Sequence, residues 1–199
     1  MKSFSLISIL ISTLFVFSIP NVVFSGEPKN QIRGSINNLK FVLDNQSLKG
    51  TDNSSERRKQ LRMIFEERFD FNEMAKRALS RAWRKRTKKE KKEFLYSFKY
   101  LLESTHIGKI ERYNGQTVQF MKESIDGNYA KVKTLVITKE QPIRVYYKMH
   151  KKKRDWLVYD VIIEGVSLIK TYRDQFKSIL NRSSFSDLLD KMRAKQFEN

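Results

Sequence analysis

Between residues 32 and 112 the apolar positions recur with the period of an α-helix. A first stripe follows spacings of 4, 3 and 4 and comprises Ile32, Ile36, Leu39 and Leu43. After a polar loop at 49–55, a second stripe comprises Leu61, Ile64 and Phe65. Residues three and four positions apart lie on the same side of a helix, so both stripes predict amphipathic helices with one buried side.

Two more helices have recognisable N-termini. Asp70 is a good N-cap residue, and Glu73 stands three positions later, as in a capping box. The helix that follows is predicted to bury Met74, Ala78, Leu79, Ala82 and Trp83. Thr87 and Glu90 form a second capping box, which opens a long helix that we expect to end near Arg112.

The apolar period changes from 3.6 to 2 after residue 116. Segments at 117–125, 129–138 and 143–150 and a segment at 156–164 with two largely apolar faces predict four strands, and "DGN" at 126–128 predicts a hairpin turn. Helices, then strands, then helices indicate an α+β fold, in which a curved four-stranded antiparallel sheet packs against several helices. The wide apolar faces suggest a cavity between sheet and helices, although periodicity is equally consistent with solid packing.

The stretch "WLVYDVIIEGVSLIKTYRDQF" at 156–176 joins the last strand to a helix through Glu164 and Gly165. Strict alternation places one wholly apolar set on a single face of this strand: Leu157, Tyr159, Val161 and Ile163. Ser167 is expected to cap the helix that follows. The predicted buried side of this helix comprises Val166, Ile169, Tyr172, Phe176, Ile179 and Leu180, and a short closing helix begins near residue 185.

The N-terminus has the composition of a secretory signal. Lys2 precedes an apolar run, and Val23 and Ser25 are small residues at the positions that a signal peptidase requires. The run of about 16 residues is shorter than the ~20 that cross a bilayer, which disfavours the alternative of a transmembrane anchor. We therefore expect a signal peptide at 1–25 and a single domain at 26–199. The predicted signal implies that the domain is exported and soluble. It should contain no disulfide, because the chain has no cysteine.

The chain is strongly basic. It contains 40 Lys and Arg residues against 22 Asp and Glu residues, a net charge of +18, of which +17 remains without the predicted signal. The excess is concentrated at 81–92 and 150–155. Such a charge favours binding to phosphates, and outside the cytoplasm these belong to lipid headgroups rather than nucleic acid. A solvated surface is the simpler interpretation for most of these lysines.

The sequence lacks the common signatures of enzymes. His106 and His150 are the only histidines, and there is no P-loop, no G-x-G-x-x-G and no G-x-S-x-G. We predict no catalytic residue and no metal site. Asp160 and Glu164 lie four positions apart on a strand, about 13 Å, beyond the ~5–9.5 Å of paired catalytic carboxylates. We expect Glu164 to bind backbone N–H groups at the turn and Asp160 to pair with a neighbouring Arg or Tyr.

Three segments resemble the MlaC/toluene-tolerance family of periplasmic phospholipid-binding proteins. They are "FDFNEMAKRALSRAW" at 69–83, "TKKEKKEFLYSFKYLLEST" at 87–105 and the stretch at 156–176, within a resemblance over roughly residues 35–192. The third is the most specific, with the family pattern matched at Trp156, Val158, Tyr159, Asp160, Glu164, Gly165, Val166, Ser167, Leu168, Tyr172, Arg173 and Phe176. His106 and Ala82 depart from the pattern, which commonly has an aromatic and a large residue there.

The resemblance implies a non-catalytic carrier that moves phospholipid through the periplasm and helps to maintain outer-membrane lipid asymmetry. The implied partners are an inner-membrane ABC transporter with an MCE-domain subunit and an outer-membrane lipoprotein–porin complex. Phospholipid is expected as cargo and no cofactor is expected. We also expect a monomer that does not bind nucleic acid.

The family fold would hold acyl chains in an apolar lipid cavity between sheet and helices. From the apolar strand and helix faces, the predicted lipid contacts are Leu102, Val118, Phe120, Val132, Val136, Val145, Tyr147, Tyr159, Val161, Ile169 and Phe176. Arg173 is a candidate contact for the lipid phosphate, and the alternative is a surface salt bridge with Asp174 or Glu164.

Two other functions remain open from the sequence. An exported small-molecule enzyme on a similar cone-shaped α+β scaffold would use Asp160 or His106 as general base, and its carboxylate would lie inside a cavity beside another polar group. An exported basic module that binds nucleic acid or anionic surfaces would need its lysines to converge on one face with exposed aromatic rings.

Overall fold

The computed structural model describes residues 28–48, 50 and 53–197, and the predicted signal peptide lies outside this part of the chain. Its α-helices are α1 (Pro28–Asp44), α2 (Ser54–Arg68), α3 (Phe71–Leu79), α4 (Arg81–Arg84), α5 (Lys88–Glu111), α6 (Leu168–Leu180) and α7 (Phe185–Phe197). A short 3-10 helix, Gln46–Leu48, follows α1. None of the helices in these ranges is long and apolar enough to cross a membrane.

Side-chain caps fix the starts of three helices, as predicted. The Asp70 carboxylate accepts a hydrogen bond from the Glu73 N–H at 3.0 Å. Thr87 and Glu90 form the reciprocal capping box that opens α5. The Ser167 hydroxyl accepts from an N–H in the first turn of α6 at 3.0 Å. Each cap satisfies a backbone donor that the helix itself leaves unpaired, and is worth about 0.5–2 kcal/mol.

The helix that begins after Asp70 is interrupted at Ser80. Ser80 has a φ of +52°, and its N–H donates to the Lys76 carbonyl at 2.9 Å, which ends α3. A left-handed residue at a helix end redirects the chain. The separate turn α4 then sets the Trp83 ring edge-on to Phe94, with 6.3 Å between ring centres. The prediction of one uninterrupted helix through Trp83 is therefore wrong.

The strands form one curved antiparallel sheet in chain order, which confirms the α+β fold. They are β1 (Thr117–Asp126), β2 (Tyr129–Ile137), β3 (Ile143–Lys152), β4 (Asp155–Ile163) and β5 (Val166–Ser167). The sheet thus has five strands instead of the predicted four. The additional strand arises because Glu164 and Gly165, with φ of +47° and +82°, form a two-residue hairpin turn.

Glu164 also ties this turn to the neighbouring strand β3. Its N–H donates to the Arg144 carbonyl at 3.0 Å, and its carboxylate accepts from the Arg144 N–H. The Arg144 guanidinium lies 3.6 Å from the same carboxylate. The prediction that Glu164 binds a backbone N–H is confirmed, so this carboxylate has a structural role at the strand-to-helix connection.

Helices contact the sheet from both sides. On one side α1 contacts β1 and β2, and on the other α3 and α6 contact β4. Helices α3, α5, α6 and α7 share a core, which we call the helical core, centred on Phe94, Phe98 and Phe176. The Phe94 and Phe98 rings stack with centres 5.6 Å apart, and both are fully buried. Burial of each ring contributes about 1.5–3 kcal/mol, so this core is a major source of stability.

Candidate functional site

The pairing of the strands places many apolar side chains on one face of the sheet. Val118 lies opposite Val136, and Tyr147 lies between Val132 on one side and Val161 on the other. Directly opposed residues point to the same face of a sheet. This face, which we call the α1 face, holds seven of the residues predicted to contact lipid, namely Val118, Phe120, Val132, Val136, Val145, Tyr147 and Val161. Lipid contact by these residues stays a prediction.

Helix α1 lies across this face. Ile32 is buried against the sheet and Ile36 packs beside it. The Arg33 guanidinium carbon lies 4.1 Å from the centre of the Phe120 ring, a cation–π contact. Helical periodicity predicts which side of α1 is buried but not what it is buried against. These isoleucines are therefore missing from the residues predicted for the site.

Polar contacts anchor the N-terminal half of α1. The Gln31 side-chain oxygen accepts from the Trp156 N–H at 2.9 Å and from the Arg68 guanidinium at 2.5 Å. Arg68 is buried and also donates to the Trp156 carbonyl at 3.1 Å. The Lys29 N–H donates to Glu123 of β1 at 2.7 Å. A buried charge is costly unless it is hydrogen-bonded, so Arg68 and its acceptors fix this end of α1 on the sheet.

One polar pair is buried within the apolar α1 face. The Thr134 hydroxyl donates to the Val145 carbonyl at 3.0 Å, and the Tyr147 side chain is hydrogen-bonded to Thr134. Burial raises the pKa of Tyr147 to about 12, and the bond to Thr134 opposes that rise only in part. The Tyr147 hydroxyl is therefore neutral at pH 7 and is a polar point on an otherwise apolar surface.

Strand β4 departs from strict alternation. Its pairing with β3 shifts by one residue after Lys148, which leaves Tyr159 as an additional residue in β4. Such a β-bulge reverses the alternation beyond it. Val158 and Val161 both lie on the α1 face, whereas Tyr159 packs against the helical core with the Arg77 guanidinium 4.0 Å from its ring centre. The prediction that Tyr159 shares a face with Val161 is wrong for this reason.

Three further residues of the predicted lipid site lie away from the α1 face. Leu102, Ile169 and Phe176 are buried in the helical core. Ile169 and Phe176 are on the buried side of α6, as predicted, but that side packs against α3 and α5. The structure therefore does not bring these three residues together with the seven on the α1 face.

The Arg173 side chain is hydrogen-bonded to the backbone of another helix. Its Nε donates to the Arg77 carbonyl at 2.9 Å, which links α6 to α3. The two carboxylates considered as partners pair with other cations: Asp174 with Lys170 at 2.8 Å and Glu164 with Arg144 at 3.6 Å. The positive charge of Arg173 also helps to lower the pKa of Asp174, after the hydrogen bond from Lys170. A phosphate contact of Arg173 stays a prediction.

Asp160 holds the start of α6 against β4. The carboxylate accepts from the Ser167 hydroxyl at 2.7 Å and from the Ile169 N–H at 3.1 Å, and it is only 5% exposed. Lys148 Nζ lies 3.7 Å away. The predicted Arg or Tyr partner is therefore wrong. Both oxygens are committed to Ser167 and the backbone of α6, which is the arrangement of a structural carboxylate.

His106, the other candidate base, lies on α5. Its Nε2 is 3.4 Å from the Tyr172 hydroxyl. Burial lowers the pKa of His106, and the positive charge of Lys109 lowers it further. The imidazole is therefore neutral at pH 7, in contact with a helix side chain of the helical core.

Two open grooves, each of about 520 Å³, lie on the surface of the described residues. The first separates α1 from α2 and exposes Phe41 and Met63. The second lies at the edge of the sheet and is lined by Ile137, Lys139 and Ile143, among others. Neither groove lies between α1 and the sheet, where the isoleucines of α1 are packed. The cavity predicted there stays a prediction.

Comparisons with known proteins agree on one family. The family model described as MlaC protein matches residues 33–194. The intermembrane phospholipid transport system binding protein MlaC of Haemophilus influenzae is 28% identical over 109 residues, which are 52% of this chain. The matched segment spans about half of that relative, 51% of its length.

A solved structure has the same fold. It is a phospholipid-binding protein from Ralstonia solanacearum, in complex with a phospholipid, and it superposes with a TM-score of 0.77. The match covers 85% of this chain and 97% of that chain at 23% sequence identity.

Proposed function

The chain belongs to the MlaC family, and we propose from this premise that it binds phospholipid and carries it between membranes. The observation that carries the proposal is the α1 face, an apolar surface to which strands β1 to β4 all contribute. The relative from Haemophilus influenzae is named for phospholipid transport, and the Ralstonia solanacearum protein was solved with a phospholipid. Both names support phospholipid as the ligand.

The physical need for such a carrier follows from the hydrophobic effect. Each methylene group that leaves an apolar environment for water costs roughly 0.8 kcal/mol. The transfer of two acyl chains of about 15 methylenes each into water therefore costs roughly 20–25 kcal/mol. Contact with the α1 face replaces one apolar surrounding with another. Transfer between bilayer and protein is then nearly neutral in free energy, and the carrier lowers the barrier without setting the direction.

We place the acyl chains between α1 and the sheet. Ile32 and Ile36 are the apolar side chains of α1 in the cluster on this face, so a lipid that displaces them restores comparable apolar contacts. The groove at Ile143 lies at the edge of the sheet, and Ile143 pairs with Val136 of the α1 face. Lys139 on its rim offers an ammonium group to the lipid phosphate.

The wider role that we propose is exchange in the periplasm with two membrane complexes. One is an inner-membrane ABC transporter with an MCE-domain subunit, and the other an outer-membrane lipoprotein–porin complex. The sequence has no ATP-binding motif, so the direction of transfer must come from a partner. The carrier itself performs no catalysis. This is supported by Asp160, whose carboxylate oxygens already accept hydrogen bonds from the Ser167 hydroxyl and the Ile169 N–H.

Extraction of the purified protein followed by mass spectrometry tests lipid binding. Wild-type protein should contain phospholipid, and Val145→Glu should not, because a charge on the α1 face meets acyl chains. Val166→Glu is the matched control, since Val166 is 63% exposed on β5. Circular dichroism checks that both variants are folded. A wild-type protein that stays free of lipid after incubation with liposomes would refute the proposal.

A further inference from the structure

The sheet has a second surface, on the side opposite the α1 face. Because side chains alternate along a strand, the residues between those of the α1 face point to this side. On β2 and β3 they include five cations, which we call the basic face: Lys131, Lys133, Arg144, Lys148 and Lys152. Arg144 and Lys152 have side chains 67% and 55% exposed. Lys131, Lys133 and Lys148 are half-buried, and the helices on this side contact β4.

The arrangement of these cations is unfavourable for the protein alone. Lys131 lies directly opposite Lys148 in the register of β2 and β3, and like charges in opposed positions destabilise a sheet. Three of the five cations are compensated in part: Lys148 lies 3.7 Å from Asp160, Lys152 lies 3.0 Å from Asp70, and Arg144 lies 3.6 Å from Glu164. Within the described residues neither Lys131 nor Lys133 forms an ion pair, although Lys133 lies 5.4 Å from the Tyr146 ring centre. The positive charge of Lys131 and Lys133 is therefore left to attract anions from solution.

We propose that the basic face docks onto the anionic phospholipid headgroups of a membrane surface. Four of its five cations are lysines, whereas protein–protein interfaces are depleted in lysine and enriched in arginine. Lysines that lie near an anionic bilayer each strengthen binding through the surface potential. Tyr129, which is 51% exposed, borders the same face, and tyrosine favours the level of the headgroups. A bilayer fits this combination better than an acidic protein.

This surface is separate from the proposed lipid site. Val132 points to the α1 face, while its neighbours Lys131 and Lys133 point to the opposite side. Docking through the basic face therefore leaves α1 uncovered. The inference does not depend on whether the α1 face holds a lipid, and the two can fail independently.

Vesicle sedimentation tests the inference. The probes are vesicles of phosphatidylcholine, alone or mixed with phosphatidylglycerol, over a range of salt concentrations. Wild-type protein should bind the anionic vesicles, and binding should weaken as salt rises. Lys131→Gln combined with Lys133→Gln should lower the partition coefficient by roughly 25-fold, about five-fold for each lysine.

The matched control removes the same charge elsewhere. Lys88 and Lys89 are exposed in the first turn of α5 and form no ion pair in the described ranges. The variant with both changed to Gln should bind the vesicles nearly as well as wild type. An equal loss in the two double variants would show that overall charge is responsible and would overturn the inference.

Three further outcomes decide the matter. Equal binding to neutral vesicles would overturn a headgroup contact. Binding to soluble polyglutamate, without binding to anionic vesicles, would overturn it in favour of an acidic protein partner. Val145→Glu should still sediment with anionic vesicles, since it leaves the basic face intact. If this variant is folded and no longer sediments, the association occurs through the α1 face and the inference fails.

Discussion

Replacement of Asp160 by alanine tests whether this carboxylate is structural. The change removes hydrogen bonds from the Ser167 hydroxyl and the Ile169 N–H, at 2.7 and 3.1 Å. Hydrogen bonds to a charged acceptor contribute about 1.5–3 kcal/mol each, and a buried N–H left unpaired costs about 1–3 kcal/mol. Because these contributions overlap, we expect the free energy of unfolding to fall by roughly 3–4 kcal/mol. For a chain of this length that corresponds to a fall in Tm of roughly 10 °C.

Thermal and urea unfolding, followed by circular dichroism, measure the effect. Asp160→Asn keeps an acceptor for the Ile169 N–H, so its loss should be smaller, and it serves if the alanine variant does not fold. Asp174→Ala is the control, because Asp174 is an exposed carboxylate on α6, the helix whose start Asp160 holds. Folded Asp160→Asn should retain phospholipid. An unchanged midpoint in Asp160→Ala, together with loss of bound lipid or of any hydrolytic activity, would refute the structural role.

Three other changes test separate parts of the fold. Phe94→Ala should lower the free energy of unfolding in urea by about 3–5 kcal/mol, because it leaves a cavity in the helical core. Tyr147→Phe should remove a phenol that ionises only near pH 12, so wild type and variant should give the same ultraviolet difference spectrum up to about pH 10 and diverge above it. Burial raises the pKa of Asp70, but the hydrogen bonds from the Glu73 N–H and from Lys152 outweigh it and hold the pKa below 3.8. The stability that Asp70 contributes is thus present above pH 3.8 and is lost as pH falls through the lowered value. The difference in unfolding free energy between wild type and Asp70→Asn should shrink on acidification below pH 3.8, and a difference that grows there would contradict this account.

Features set by short segments of sequence are predicted well. The caps at Asp70, Thr87 and Ser167 depend on residues at most three positions apart, and all three are present. The strands and their turns follow from alternation and from residues such as Gly127, which has a φ of +53°. In each case the physical cause lies within one turn of helix or one hairpin.

Features set by distant contacts are not predicted. The alternation of β4 changes at Tyr159, because the sheet must present Val158 and Val161 to α1 while Tyr159 packs on α3. No local signal marks the additional residue. The extra strand β5 is similar, since Val166 also fits the apolar period of the helix that follows.

The sequence predicts which strand residues share a face, but it does not predict which surface each helix packs against. Valines at alternate positions of β2 and β3 must share a face once the strands pair, so Val132 and Val145 are placed correctly together. Helix periodicity gives only a direction of burial. Phe176 and Ile32 are both on buried sides, yet one packs in the helical core and the other on the α1 face.

The additional residue in β4 constrains how the chain length can vary within the family. Without Tyr159 the strand would alternate evenly, and every position from Asp160 to Ile163 would exchange sides. Val161 would turn toward α6, and Asp160 would meet the apolar underside of α1 without its hydrogen-bond donors. Hairpin turns such as 153–154 tolerate insertions and deletions, because only solvent lies beyond them. Aligned relatives should therefore differ in length at these turns, while the number of residues between Val158 and Val161 stays constant.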